Sequence, residues 1–155
     1  MTEELNTGTE RRGKSHEKLA TLVQTRSHTL SLYTSLANQR PFDPDNITNS
    51  SLQEFCQALI DYAASAHFQL YRYISDRLER RGAVLEVAEG VYPQIIDTTD
   101  SILRFNDKYE DADLGNSDSG LLELLDADLS SLGETLAERI HLEDKIIGAM
   151  TGPVH

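Results

Sequence analysis

Charged side chains on apolar helical faces are the first candidates for chemistry in this chain. With successive residues placed about 100° apart, as in an α-helix, Arg26 falls between Val23 and Leu30 on an apolar face. Glu143 interrupts a similar face in the last helical segment. A buried charge is costly unless it is paired. The sequence therefore predicts an Arg26–Glu143 ion pair across the core. The other candidate members of this buried polar network are Asp144, Glu134, Arg139 and His67.

This network admits two interpretations. The simpler is structural, with the buried pair fixing the register of the helices. The functional alternative is a polar patch at one end of the helices that is open to a partner.

A metal centre is the second kind of chemistry to consider. Glu138 and His141 have the Glu-x-x-His spacing of a carboxylate-bridged di-iron bundle. Such a centre needs two such pairs, and the sequence contains no second pair. The sequence also lacks a phosphate-binding glycine loop and a nucleophile elbow. We therefore expect no metal, no cofactor and no catalytic residue. A di-iron or hemerythrin-like metal-binding bundle remains the alternative.

An outward-facing aromatic residue marks a candidate docking surface. Within residues 52–79, Phe68 falls on the face opposite the apolar stripe, one heptad after Asp61. An exposed aromatic side chain beside a carboxylate is typical of a surface that binds a partner. The candidate partner-binding residues are Asp61, Phe68, Ser65, Arg72 and Tyr71. The alternative is that a second helix of the same protein covers Phe68.

Helical periodicity predicts the elements that position these residues. Helical segments are expected over residues 15–37, 51–80 and 120–150. Residues 83–109 are interrupted by Gly90 and Pro93, which predicts a short helix followed by a longer one. No strand-like alternation is present. We therefore expect an all-α protein, an antiparallel four-helix bundle with a short extra helix in the second half. The chain should form a single domain, ordered over residues 10–150, with mobile ends.

Two apolar stripes complete the expected core. In the second segment the stripe includes Cys56, whose burial argues against a reactive thiol. The third region is expected to carry an inner stripe of its own. Its members are Ile95, Ile96, Thr99, Ile102, Leu103 and Asn106.

Composition restricts the possible classes of protein. With 39% apolar and 26% charged residues, the chain of 155 residues has the composition of a globular domain. It has no apolar run that could span a membrane and no secretory signal at its start. A single cysteine fits a cytoplasmic setting. The net charge is −12, and residues 97–155 hold 14 acidic and 4 basic side chains. This acidic balance disfavours direct nucleic-acid binding and favours a basic protein partner.

Several long segments resemble the Rsd/AlgQ family, the bacterial regulators of the primary sigma factor. FCQALIDYAASAHFQLY resembles the family signature FCQxLVDYxSAGHFxxY. LGETLAERIHLEDKIIGAM is similar to the family's closing segment, and YPQIIDTT resembles its WPQLxxxT element. The first helix matches at Gly13, Leu19, Arg26, His28 and Tyr33. The resemblance extends from about residue 10 to residue 150, and it departs from the signature at Ala64-Ser65-Ala66.

The resemblance implies an anti-sigma function. A member of this family is expected to be a monomer that binds the C-terminal helix-turn-helix domain of the primary sigma factor. That domain is basic because it reads promoter DNA, and its capture would free core polymerase for alternative sigma factors. Asp61 and Phe68 both match the family motif and are the leading interface residues. An adaptor for another regulatory protein remains open as an alternative.

Overall fold

The computed structural model describes residues 2–42, 49–72, 81–115 and 120–151, and every regular element in these ranges is helical. Helix α1 spans Thr2–Ala37, α2 spans Asn49–Ser65, α3 spans Gly82–Tyr109 and α4 spans Leu121–Thr151. A short π-helical segment, Ala66–Tyr71, follows α2 directly, and we call it the π-turn. The prediction of an all-α protein is confirmed. None of these helices combines the length and the apolar character that crossing a bilayer requires.

The core forms where the apolar stripes of the helices meet. Helix α1 packs against α2, α2 against α3, and α3 against α4. Aromatic rings fill the junction, with Phe55 edge-on to Tyr33 at 5.9 Å and to Phe105 at 6.0 Å between ring centroids. The Thr29 hydroxyl donates to the Ala58 carbonyl at 3.1 Å, which ties α1 to α2. These contacts fix the positions of α1, α2 and α3 around one apolar centre.

A close approach between α1 and α4 depends on a glycine. The Tyr33 hydroxyl donates to the Leu129 carbonyl at 2.9 Å and lies directly over Gly133. A Cβ atom at position 133 would collide with that hydroxyl. Glycine is therefore required here because it lets the tyrosine reach the backbone of α4.

The structure corrects two helix boundaries. Helix α1 begins at Thr2 rather than near residue 15. The polar N-terminal segment gives no apolar stripe, although its Glu, Leu, Arg and Lys residues favour a helix. Arg81 is the N-cap of α3 and Gly82 its first residue, one residue before the expected start of the third region at residue 83. The expected end of the second segment, residues 73–80, lies outside the described residues.

The predicted short extra helix is absent from the described region 82–109, because α3 runs through Gly90 and Pro93 without a break. A proline removes one backbone donor and so leaves one carbonyl of the preceding turn without its helical partner. Pro93, Gly90 and Glu89 are all exposed, so water can reach that carbonyl. Burial also continues on both sides of the proline with helical spacing, from Val84 to Tyr109. The core contacts of this stripe outweigh the local cost of the proline.

The π-turn changes which residues face the core. A π-helix takes one more residue per turn than an α-helix, so the residues that follow are shifted by about 100° around the axis. The wide turn closes through the Arg72 backbone N–H, which donates to the His67 carbonyl five residues earlier. A regular helix would place Leu70 on the core face after Ala66. The structure buries Tyr71, which a regular helix would place on the flank, and its exposed fraction is 4%.

Candidate functional site

A concave apolar groove between α2 and α3 contains the predicted docking residue Phe68 in its lining. It has a volume of about 350 Å³. The α2 side is formed by the end of the helix and the π-turn, and the α3 side by the turns around Tyr92 to Leu103. Phe68, Ile96 and Leu103 line the groove and are 56%, 44% and 43% exposed. Three large apolar side chains therefore remain accessible around one recess, which is a surface suited to an apolar partner.

The same groove continues into a polar, acidic end. Ile60 lines both the apolar recess and a second cavity of about 380 Å³. The second cavity is bordered by Gln53, Gln57 and Asn106 and by the carboxylates of Glu110 and Asp111. A ligand that occupied the whole groove would therefore need an apolar part near Phe68 and a cationic or polar part near Glu110.

The predicted docking residues lie in different settings. Phe68 is exposed, and its ring meets the His67 ring edge-on at 5.0 Å between centroids. Asp61 is exposed, accepts a hydrogen bond from Gln57 at 3.0 Å, and lies on the outer face beside the groove rather than in its lining. Arg72 is exposed at the end of the π-turn. Ser65 is half-buried, and its hydroxyl oxygen is shielded from solvent without a hydrogen-bond partner in the structure.

Tyr71 does not belong to the docking surface, so that prediction is wrong. Its side chain is buried, and its hydroxyl donates to Glu143 Oε2 at 3.1 Å. The extra residue in the π-turn carries Tyr71 inward from the flank that a regular helix would give it. Its ring also meets the Tyr92 ring at 5.7 Å between centroids, so it supports the wall of the groove from behind.

Glu143 is the centre of a buried polar network that joins all the helices. Its carboxylate is fully buried and accepts hydrogen bonds from the Tyr62 hydroxyl at 2.5 Å and from Arg139 Nε at 3.2 Å. Arg26 Nη1 lies 3.5 Å from Glu143 Oε1, so the structure brings together the predicted pair of α1 and α4. Arg26 also reaches Asp144 at 3.0 Å, and Asp144 lies at the solvent edge with 55% of its side chain exposed.

The charge of Glu143 is balanced mainly by Arg139. Arg139 is 1% exposed, and it lies one helical turn before Glu143 on α4. Its Nη1 donates to the Thr99 hydroxyl at 2.8 Å and to the Thr98 hydroxyl at 3.3 Å, which connects the network to α3. Arg139 and Thr99 also line the apolar groove, so the network forms part of the groove floor.

The tyrosines of the network remain protonated donors. Burial raises the pKa of Tyr62 and Tyr71, and the Glu143 carboxylate raises it further. Both hydroxyls therefore donate to Glu143 throughout the physiological pH range. The guanidinium of Arg139 lies over the Tyr62 ring at 5.2 Å from its centroid, which adds a cation–π contact to the pair.

Two residues proposed for the network lie elsewhere. Glu134 is exposed on α4, so it is not a partner of the buried arginines. His67 is exposed at the rim of the groove, away from the buried carboxylate. Both predictions assumed regular α-helical spacing. Neither could take into account which faces of the helices are covered by their neighbours.

Ile96 and Leu103 are the groove residues that the sequence interpretation assigned wrongly to the core. Helix α3 buries Ile95 and Ile102 of the expected stripe and also Thr98, but leaves Ile96 and Leu103 exposed. The apolar arc of α3 is wider than α2 and α4 together cover. That excess width is the sequence signal that could have indicated a second, accessible apolar strip.

Cys56 and the Glu138–His141 pair have the structural settings expected of inert residues. Cys56 is buried, and burial, with a smaller contribution from Glu110, raises the pKa of its thiol to about 12. Glu138 and His141 are both exposed on α4. Within the described ranges, no three side chains of His, Cys, Asp or Glu come together as a metal site would require.

Comparison with known proteins gives a family match over nearly the whole chain. The family described as regulator of RNA polymerase sigma(70) subunit, Rsd/AlgQ, matches residues 1–151. Proteins named Regulator of sigma D from Salmonella arizonae and Salmonella newport are each 31% identical to this chain over 157 residues. The alignment covers 100% of this chain and 94% of each relative. No solved structure matches the chain.

Proposed function

Because the chain belongs to the Rsd/AlgQ family of sigma(70) regulators, we propose that it binds the C-terminal helix-turn-helix domain of the primary sigma factor through the α2–α3 groove. The partner is a basic, DNA-reading domain, and its capture reduces the use of the primary sigma factor by core polymerase. The protein acts in the cytoplasm as a stoichiometric monomer whose helices form an antiparallel bundle. It is not an enzyme, and it makes no direct contact with nucleic acid.

The observation that carries this proposal is the exposed apolar surface around Phe68 on an acidic protein. Side chains of this size that stay accessible around one recess provide a hydrophobic contact. The acidic end of the groove at Glu110 and Asp111, together with the net charge of −12, provides complementarity to a basic domain. Asp61 lies on the outer face beside this groove, where it can pair with a cation at the rim.

A binding titration with matched alanine variants tests the location of the interface. Phe68→Ala should weaken binding of the sigma C-terminal domain about 30-fold, because a central aromatic contact contributes about 2 kcal/mol. Leu124→Ala is the control, since Leu124 is an exposed apolar residue of α4, 48% accessible, that does not line the groove. The control should bind like the wild type. Equal affinity of Phe68→Ala and wild type would place the interface elsewhere.

The electrostatic contribution to binding is tested by measuring association rates at several salt concentrations. Charges at the edge of an interface act mainly on the association rate and are screened over about 8 Å at physiological ionic strength. Neutralising Glu110 and Asp111 together should lower the association rate at low salt and have little effect at high salt. An affinity that does not change with salt would show that apolar contact alone carries the binding.

A further inference from the structure

The π-turn links the exposed docking residue Phe68 to the buried polar network. It contains both the exposed Phe68 and the buried Tyr71, and Tyr71 is hydrogen-bonded to Glu143 in the core. π-helical turns are uncommon and occur frequently at functional sites. Its neighbour Ser65 keeps a shielded hydroxyl without a hydrogen-bond partner, a further departure from a well-satisfied regular helix.

Helix geometry indicates what the π-turn does to Phe68. In a regular α-helix Phe68 would lie about 160° around the axis from Leu52, almost opposite the core. Ile60, on the α3 side of α2, lies at about 80° by the same count. An extra residue in the turn reduces the angle of the residues within and after it. The π-turn therefore rotates Phe68 away from the outermost position and toward the groove, where the structure finds it.

We propose that Tyr71 is a positioning residue for partner binding: its hydrogen bond to Glu143 holds the π-turn, and the π-turn holds Phe68 at the rim of the groove. This inference rests on the proposed function, because it assigns the binding contact to Phe68. Tyr71 acts through Phe68 and through the groove wall at Tyr92.

The same carboxylate supplies a matched control. Tyr62 also donates to Glu143, but from the regular part of α2 before the π-turn. Tyr62→Phe and Tyr71→Phe therefore each remove one buried hydroxyl from one acceptor, and only Tyr71→Phe releases the π-turn. If binding affinity were lost only because the core network is weaker, both variants would lose it to the same extent.

The test combines binding kinetics with hydrogen exchange on the full chain, using the sigma C-terminal domain as the probe. Tyr71→Phe should raise the dissociation rate constant about threefold to tenfold, as expected for one hydrogen bond. Tyr62→Phe should leave it within about twofold. Amide exchange at residues 66–72 should accelerate selectively in Tyr71→Phe. In Tyr62→Phe any acceleration should follow the loss of overall stability.

The outcomes separate this inference from the proposed function. Equal dissociation rates in the two variants, or unchanged exchange at residues 66–72 in Tyr71→Phe, would overturn the positioning role even if the sigma domain binds. If the wild type does not bind the sigma domain, the proposed function and the binding role of Tyr71 both fail. The exchange data then still show whether Tyr71 holds the π-turn.

Discussion

Neutralising Glu143 is the sharpest perturbation of the buried network. The carboxylate is fully buried, it accepts hydrogen bonds from two tyrosines, and it lies 3.2 Å from Arg139 Nε. Glu143→Gln keeps the size of the side chain and one oxygen acceptor but removes the charge. Arg139, which is 1% exposed, would then be a buried cation without its carboxylate. Loss of one partner of a buried pair costs about 3–5 kcal/mol of unfolding free energy.

Arg26 should contribute less to the unfolding free energy than its predicted pairing with Glu143 suggests. Its side chain is 16% exposed, and it also pairs with Asp144 at the solvent edge. If it is removed, Glu143 keeps Arg139 as its partner. Arg26→Met should therefore cost roughly 1.5–3 kcal/mol, the range of a hydrogen bond to a charged group.

Urea unfolding of the single and double variants measures these contributions. The coupling between Arg139→Met and Glu143→Gln should be about 2 kcal/mol or more, whereas that between Arg26→Met and Glu143→Gln should stay below about 1 kcal/mol. Glu134→Ala is the control, since Glu134 is exposed on the same helix and should change stability by no more than about 0.5 kcal/mol. A coupling for Arg26 as large as that for Arg139 would refute the assignment of Arg139 as the main counter-ion.

The remaining predictions concern the edges of the core. Gly133→Ala should destabilise the protein by about 1–3 kcal/mol in thermal unfolding, because the new methyl group displaces Tyr33. Gly148→Ala, where nothing lies within 4 Å of an added Cβ, should instead stabilise the helix by up to about 1 kcal/mol. Burial by itself would raise the pKa of the Asp128 carboxyl. Hydrogen bonds from Lys108 and from the Tyr109 hydroxyl outweigh that effect and lower the pKa below the ordinary value. That stabilisation is present at neutral pH and is lost as the pH falls below about 4, so wild type should lose more stability in acid than Asp128→Asn.

Much of the fold can be predicted from the helical spacing of apolar residues. The spacing identifies the helical class and the burial of Cys56, because each depends on one regular helix, and it places Phe68 outside the core, which the rotation by the π-turn does not reverse. It also brings Arg26 and Glu143 into proximity, because a charge on an apolar face needs a partner. These predictions do not change if the angle between successive residues differs slightly from 100°.

The remaining features depend on interactions that a single helix does not contain. The π-turn adds one residue to a turn, so residues within and after it depart from regular helical spacing, and Tyr71 turns into the core. The exposure of Ile96 and Leu103 depends on which side of α3 its neighbours cover, and a wide apolar arc cannot decide between its two edges. The continuity of α3 through Pro93 follows from the buried stripe on both sides, which outweighs a local signal.

With the proposed interface, stability and binding depend on largely separate residues, which makes the π-turn the informative place to perturb. Groove residues such as Ile96 and Leu103 are more than two-fifths exposed and contribute little to the core, whereas Arg139 and Glu143 are buried and contribute to stability. Tyr71 connects the two sets, since its hydroxyl is bonded to Glu143 in the core and its ring packs on Tyr92 in the groove wall. Changes at Tyr71 should therefore alter affinity by more than their effect on stability explains, whereas changes at Tyr62 should alter stability alone.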